Sequence, residues 1–106
     1  VMISSLNNNN FDLAVTHVPG LHVVRFWAEW CGPCRVMAPV YDEVAQELRD
    51  DAHFAEVNID NADRLANKFR VQSVPAILLF RDGKVVDHMV GTIGKRHVIE
   101  FIKHNL

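Results

Sequence analysis

The residues best suited to covalent chemistry are Cys31 and Cys34, the only cysteines in the chain, separated by Gly32 and Pro33. A thiolate is the nucleophile in disulfide exchange and the form that binds metals. A bond between two such close neighbours would close a tiny loop and restrain little of the unfolded chain, so a stabilising staple is a poor reading. A structural zinc site needs four ligands, and no second cysteine pair is present. Two inert core thiols are also a poor reading, because Gly and Pro are weak material for a buried helix. Thiol–disulfide exchange fits best: one sulfur attacks a partner's S–S bond and the second releases the product.

That chemistry needs an ionised sulfur. The string Trp27-Ala28-Glu29-Trp30-Cys31-Gly32-Pro33-Cys34 follows a predicted strand, Leu21 to Trp27, and opens a predicted helix from Cys31 to about Asp50. A helix N-terminus carries unpaired N–H groups and partial positive charge, which favour a thiolate at Cys31. Pro33 has the fixed φ suited to a first helical turn. Gly32 has no side chain, which leaves Cys31 open to a bulky substrate. Cys34 lies one turn further on the same side.

The remaining elements must hold that junction in place. Met2 to Leu6 reads as a first strand, and Asn7 to Asn10 as a turn ending in a helix N-cap. A first helix is expected from Phe11 to Val18, stopped by Pro19-Gly20. Val36, Met37, Val40, Tyr41, Val44 and Leu48 recur at helical spacing in the second helix. Pro39 interrupts them and should kink the helix. Phe54 to Ile59 reads as a third strand and Ala62 to Phe69 as a short helix. Ala76 to Phe80 and Val85 to Val90 form a predicted hairpin around Asp82-Gly83. A last helix fits Lys95 to Asn105, with Val98, Phe101 and Ile102 buried. The order β-α-β-α-β-α-β-β-α implies an α/β fold, a mixed central sheet with helices on both faces.

Composition sets the outer bounds. The 106 residues suit one domain, 1–106, with its own core. About half are apolar, and the formal net charge of −2 with scattered Lys and Arg argues against a nucleic-acid partner. No run approaches the length of a membrane span. Met2 to Asn10 has neither a basic start nor an apolar stretch, so it is not read as a signal peptide. Val1 ahead of Met2 leaves a removed targeting segment open, and the cytoplasm is the default location. A monomer is the default state. The six histidines are expected at the surface.

Trp30-Cys31-Gly32-Pro33-Cys34, together with Phe26-Trp27-Ala28-Glu29, Pro39, Asn58-Ile59-Asp60, Val74-Pro75, Asp82-Gly83 and Val90-Gly91, resembles the thioredoxin family over nearly the whole chain. The resemblance implies a thioredoxin fold and a protein-disulfide reductase, with Cys31 attacking and Cys34 resolving the mixed disulfide. It implies that Pro75 is a cis-proline facing the cysteines, and that the backbone at Val74 pairs with an extended substrate segment. Trp30, Gly32, Pro33, Val74 and Gly91 would form a small apolar docking surface. Its partners would be protein disulfides and a recycling, NADPH-dependent flavoprotein thioredoxin reductase. No bound cofactor is expected, because the dithiol carries the electrons. Gly-Pro between the cysteines resembles the reductants of the superfamily. Its oxidases and isomerases usually carry histidine there. A thiol oxidase or isomerase is the alternative in chemistry, and a redox-inactive binding module the alternative in class.

Two positions depart from the family pattern. Arg25 stands where a buried aspartate is usual, and Glu56 where a lysine is usual. A single reversal would leave an uncompensated core charge. Two opposite reversals suggest that Arg25 and Glu56 face each other on adjacent strands beneath Cys34. Arginine stays protonated at any working pH, so it cannot take a proton from Cys34. It can instead favour the Cys34 thiolate electrostatically. Ala76 also departs, since threonine commonly follows the proline.

Overall fold

Alternate residues of the central strand point to opposite faces, and that alternation divides the molecule into two layers. The computed structural model describes residues 3–106. Its strands are β1 (Ser4–Leu6), β2 (His22–Trp27), β3 (His53–Asn58), β4 (Ala76–Arg81) and β5 (Lys84–Val90). They form one sheet in the order β1-β3-β2-β4-β5. β1 and β2 pair parallel with β3, while β4 runs antiparallel to both β2 and β5. The helices are α1 (Gly32–Glu47), α2 (Asp63–Lys68) and α3 (Lys95–His104), preceded by a π-helical segment at Asp12–Thr16. The expected element order and mixed sheet are therefore present. Met2, which the expected first strand includes, lies outside the described residues.

Val24 and Phe26 of β2, Ala55 and Val57 of β3, and Ala76, Leu78 and Phe80 of β4 face the layer built from Phe11, Val15 and Leu65. Phe11, Phe69 and Phe80 meet there with ring centroids 4.8–5.3 Å apart. Val23, Phe54, Ile77 and Leu79 face the opposite layer, filled by Met37, Tyr41 and Val44 of α1 and Val98 and Ile102 of α3. β2 is apolar almost throughout because helices cover both of its faces. Arg25 lies in the same alternation as Val23, and so points toward α1. Tyr41 ties α1 to the sheet: its buried hydroxyl points at the backbone carbonyls of Val23 in β2, at 2.9 Å, and Ala55 in β3, at 2.7 Å.

Several boundaries differ from the sequence expectation, each for a local reason. The first helix is a short π-helical segment, in which the His17 N–H donates to the Asp12 carbonyl at 3.1 Å. Its N-cap is Phe11, with no side-chain cap, and the asparagine run is a turn closed on itself instead: Asn7 Oδ1 accepts from the N–H groups of Asn9 and Asn10, and Asn10 Oδ1 accepts from the N–H of Asn7. α1 runs through Pro39 and ends at Glu47, three residues early, because the N–H groups of Asp51 and Ala52 turn back onto the Leu48 carbonyl. α2 ends in a Schellman motif, with Val71 N–H donating to Ala66 and Arg70 N–H to Asn67. Arg70 takes the left-handed conformation usually given to glycine, φ 57°.

The β4–β5 turn follows the Asp-Gly signal closely. Asp82 and Gly83 both have positive φ, 54° and 77°, as a type I′ turn requires. Gly83 is also held by space, since a Cβ there would lie 2.8 Å from Thr16 Cγ2.

His22 is buried, contrary to the surface expectation. Its Nε2–H donates to the Val18 carbonyl at 2.8 Å, and its ring stacks on His53 with centroids 4.4 Å apart. Burial pulls its pKa below the ordinary 6.5; the Val18 hydrogen bond opposes this and the neighbouring His53 adds to it. A depressed folded-state pKa contributes stability above the unfolded value, lost as pH falls through the folded value. The urea midpoint should therefore hold level above pH 6.5 and decline as the solution is acidified below it. His22→Phe should flatten that part of the profile. Identical acid slopes in the two proteins would show that His22 is not the linked group.

Candidate active site

β2 delivers the chain to the tip of α1 through a short turn in which the Cys31 N–H donates to the Ala28 carbonyl at 3.2 Å. Cys31 is the N-cap of α1, in extended conformation, and Pro33 lies in the first turn. The Cys34 N–H donates to Sγ of Cys31 at 3.2 Å. The sulfur thus takes the place of a Ser or Asp capping oxygen, satisfying one orphan donor of the helix. An N–H aimed at sulfur, with the helix end behind it, favours negative charge there. Cys31 and Cys34 form a disulfide, with Cα atoms 5.3 Å apart.

Both sulfur-bearing residues are well enclosed, Cys31 at 5% exposure and Cys34 at 1%, packed with Ala28 and against Trp27, Ile59 and Val74. The opening above Cys31 is narrower than its place at a helix tip suggests, although Cys31 remains the outer of the two. Gly32 borders open space, since a Cβ there would meet nothing within 4 Å beyond its chain neighbours. Trp30 stands 67% exposed beside it, so its indole is not core.

A second segment closes the site. The Val74–Pro75 bond is cis, as the resemblance implied. It brings the Val74 carbonyl oxygen to 3.7 Å from Sγ of Cys31. The Gly91 N–H donates to the Pro75 carbonyl at 2.8 Å, with Gly91 at φ 101°. Three chain segments meet here: Trp30 with Gly32 and Pro33 at the start of α1, Val74-Pro75 ahead of β4, and Gly91 just after β5, which reaches the site through Pro75.

Arg25 and Glu56 are cross-strand partners in the β2–β3 register. Arg25 Nη2 donates to Glu56 Oε2 at 2.9 Å, and Nη1 donates to the Cys34 carbonyl at 3.1 Å. The guanidinium carbon sits 5.7 Å from the Trp27 ring centroid and 5.5 Å from that of Tyr41, within cation–π range. The reversed pair is formed, and it reaches the backbone of the second cysteine.

Two contributors were not singled out from sequence as part of the site. Tyr41 was legible only as a buried position of α1, not as a wall of the Arg25 pocket. Arg35 follows the motif, and its Nη1 donates to the Glu29 carbonyl across the Trp30 turn. Nothing in the residue pattern signalled that contact. Among the described residues, no group of three or more His, Cys, Asp or Glu side chains is placed to hold a metal.

A family model described as Thioredoxin matches residues 2–104. The chain is 36% identical over 104 residues to a thioredoxin of Staphylococcus saprophyticus, covering 98% of each chain. It is 32% identical over 105 residues to a thioredoxin of Rickettsia bellii, covering 99% of this chain and all of the relative. A stretch of 73 residues is 44% identical to thioredoxin 1 of Synechococcus elongatus, covering 69% of this chain and 68% of the relative. With the cis-proline facing a helix-capping Cys-Gly-Pro-Cys pair, these matches establish that the chain belongs to the thioredoxin family.

Proposed function

We propose that this protein reduces disulfide bonds in other proteins, with Cys31 as the attacking sulfur and Cys34 as the resolving one. The observation that carries this reading is the Cys34 N–H aimed at Sγ of Cys31 on the tip of α1. In the reduced protein the same donor stabilises the Cys31 thiolate. That thiolate attacks a substrate disulfide, forming a Cys31–substrate bond and expelling the first substrate thiolate. Cys34 then loses its proton and attacks Sγ of Cys31, which expels the second. Two electrons pass to the substrate, the Cys31–Cys34 disulfide forms, and the two substrate thiolates are protonated by the proton lost from Cys34 and one taken from solvent.

Substrate recognition falls to the surface around the opening. Trp30 and the Pro33 ring offer an apolar platform, and Gly32 adds no side chain to the approach. The backbone at Val74, beside Pro75 and Gly91, pairs with an extended segment of the substrate. Recycling falls to a separate NADPH-dependent flavoprotein reductase, and the dithiol serves without a bound cofactor. One sheet with a core on each face supports residues 1–106 acting as a single domain. Among the described residues, no helix is long and apolar enough to cross a membrane. A reductant of this kind works in the cytoplasm, where thiols are kept reduced.

Reduction of insulin with dithiothreitol as electron source tests the proposal. The protein should bring forward the precipitation of the free insulin B chain at catalytic concentration. A lag identical to that of dithiothreitol alone would overturn the reading.

A further inference from the structure

Among the described residues, Arg25 is the one charged residue buried in the core, and the exchange steps above make no use of it. Resting on the reductase reading, we propose that Arg25 sets how strongly the dithiol reduces, by favouring its thiolate-bearing form, and that Glu56 is the counterion limiting this effect. The argument starts from an imbalance. The Arg25 side chain is 5% exposed, whereas that of Glu56 is 28% exposed. Water screens the carboxylate more than the guanidinium, and charges in a low-dielectric interior act at greater range. The pair therefore does not cancel, and the surplus beneath α1 is positive.

Its direction of action is fixed by contact. Nη1 is bonded to the carbonyl of Cys34, the residue that carries the resolving sulfur. Nη2 is bonded to Glu56, and Nε has no hydrogen-bond partner among the described residues. The guanidinium also lies over the rings of Trp27 and Tyr41. Among the described residues, the carboxylate of Glu56 is thus the only anion touching the cation.

The disulfide carries no charge, while the reduced pair carries a thiolate once a proton leaves. Reduction adds two electrons and two protons to the disulfide, and one proton then passes to solvent as the thiolate forms. A buried cation stabilises that product and not the disulfide. This raises the reduction potential and makes the protein a milder reductant than it would be without the charge. Arg25 touches neither substrate nor reacting sulfur, so it is a positioning residue acting through its field.

The test compares the intact protein with Arg25→Gln, Arg25→Lys and Glu56→Gln. Each is titrated against glutathione buffers, with thiolate absorbance followed against pH. Arg25→Gln should shift the equilibrium about tenfold toward the disulfide and move thiol ionisation to higher pH. Glu56→Gln should do the reverse in both readouts, and Arg25→Lys should stay near the parent. A merely structural role would lower stability without producing shifts of opposite sign. Shifts of the same sign in Arg25→Gln and Glu56→Gln, no shift in either of these two when folded, or a shift in Arg25→Lys as large as that in Arg25→Gln, would overturn the proposal. If Arg25→Gln does not fold, Glu56→Gln decides it by sign alone, because that side chain reaches solvent. Failure of the parent in the insulin assay would instead defeat the reductase reading, while the titration would still report the influence of the charge.

Discussion

Replacing Cys31 with serine should lower the insulin-reducing rate by on the order of 10³-fold or more, the scale of losing a nucleophile. Cys34→Ala should fail differently. Cys31 keeps its place at the helix tip and still receives the N–H of residue 34, which is a backbone group. Attack therefore proceeds, but no second sulfur releases the product. A mixed disulfide should accumulate to one substrate per chain, visible by mass spectrometry and reversed by dithiothreitol. Alanine suits this test better than serine, because residue 34 is 1% exposed and a hydroxyl there would need a partner. Turnover that survives in Cys31→Ser, or a Cys34→Ala protein that captures nothing, would contradict the assignment of the two sulfurs. A double serine variant separates catalysis from docking, since a binding module would keep its partner and a reductase would lose all activity.

The second large effect concerns stability. Arg25→Asp alone should cost about 3–5 kcal/mol, because it sets a buried carboxylate against Glu56 and leaves the Cys34 carbonyl without its donor. Small domains have only about 5–15 kcal/mol in total, so this variant should sit close to unfolding. Glu56→Lys should cost less, since its partly exposed side chain can turn an ammonium toward water. Combining the two restores an opposite-charge pair in the same register. The double variant should be more stable than the summed singles by about 0.5–3 kcal/mol. Urea denaturation with unchanged m-values reads this directly. Strict additivity would mean that Arg25 and Glu56 do not interact. In the glutathione titration the double variant should also be the stronger reductant, having exchanged the buried cation for an anion.

What the sequence made legible follows from which interactions are local. Cys31, Gly32, Pro33 and Cys34 are read as a helix start because capping and φ preferences act within four residues, and α1 begins there. The Asp82-Gly83 turn is equally local. The Arg25–Glu56 pairing was readable for another reason: two opposite anomalies in a core are intelligible only together. Contacts closed by tertiary packing were not readable. His22 appears as a polar residue at a strand start, and only the folded Val18 carbonyl and His53 ring explain its burial. Tyr41 appears as one more apolar position of an amphipathic helix, yet its hydroxyl spans two strands. The π-helical turn at Asp12–Thr16 was missed because hydrogen-bond register within one short helix leaves no distinct residue pattern.

The hairpin tip has a practical side. Loop tips of this kind are the usual place to graft an epitope or splice in a sensor peptide. Here Gly83 abuts Thr16, so the tip is wedged against the N-terminal half of the fold. An insertion between Asp82 and Gly83 would have to break a turn with two left-handed residues and lever β5 away from its neighbour. Because Gly91, just past the end of β5, braces the Pro75 carbonyl, such a splice would loosen the catalytic end from the opposite pole of the molecule.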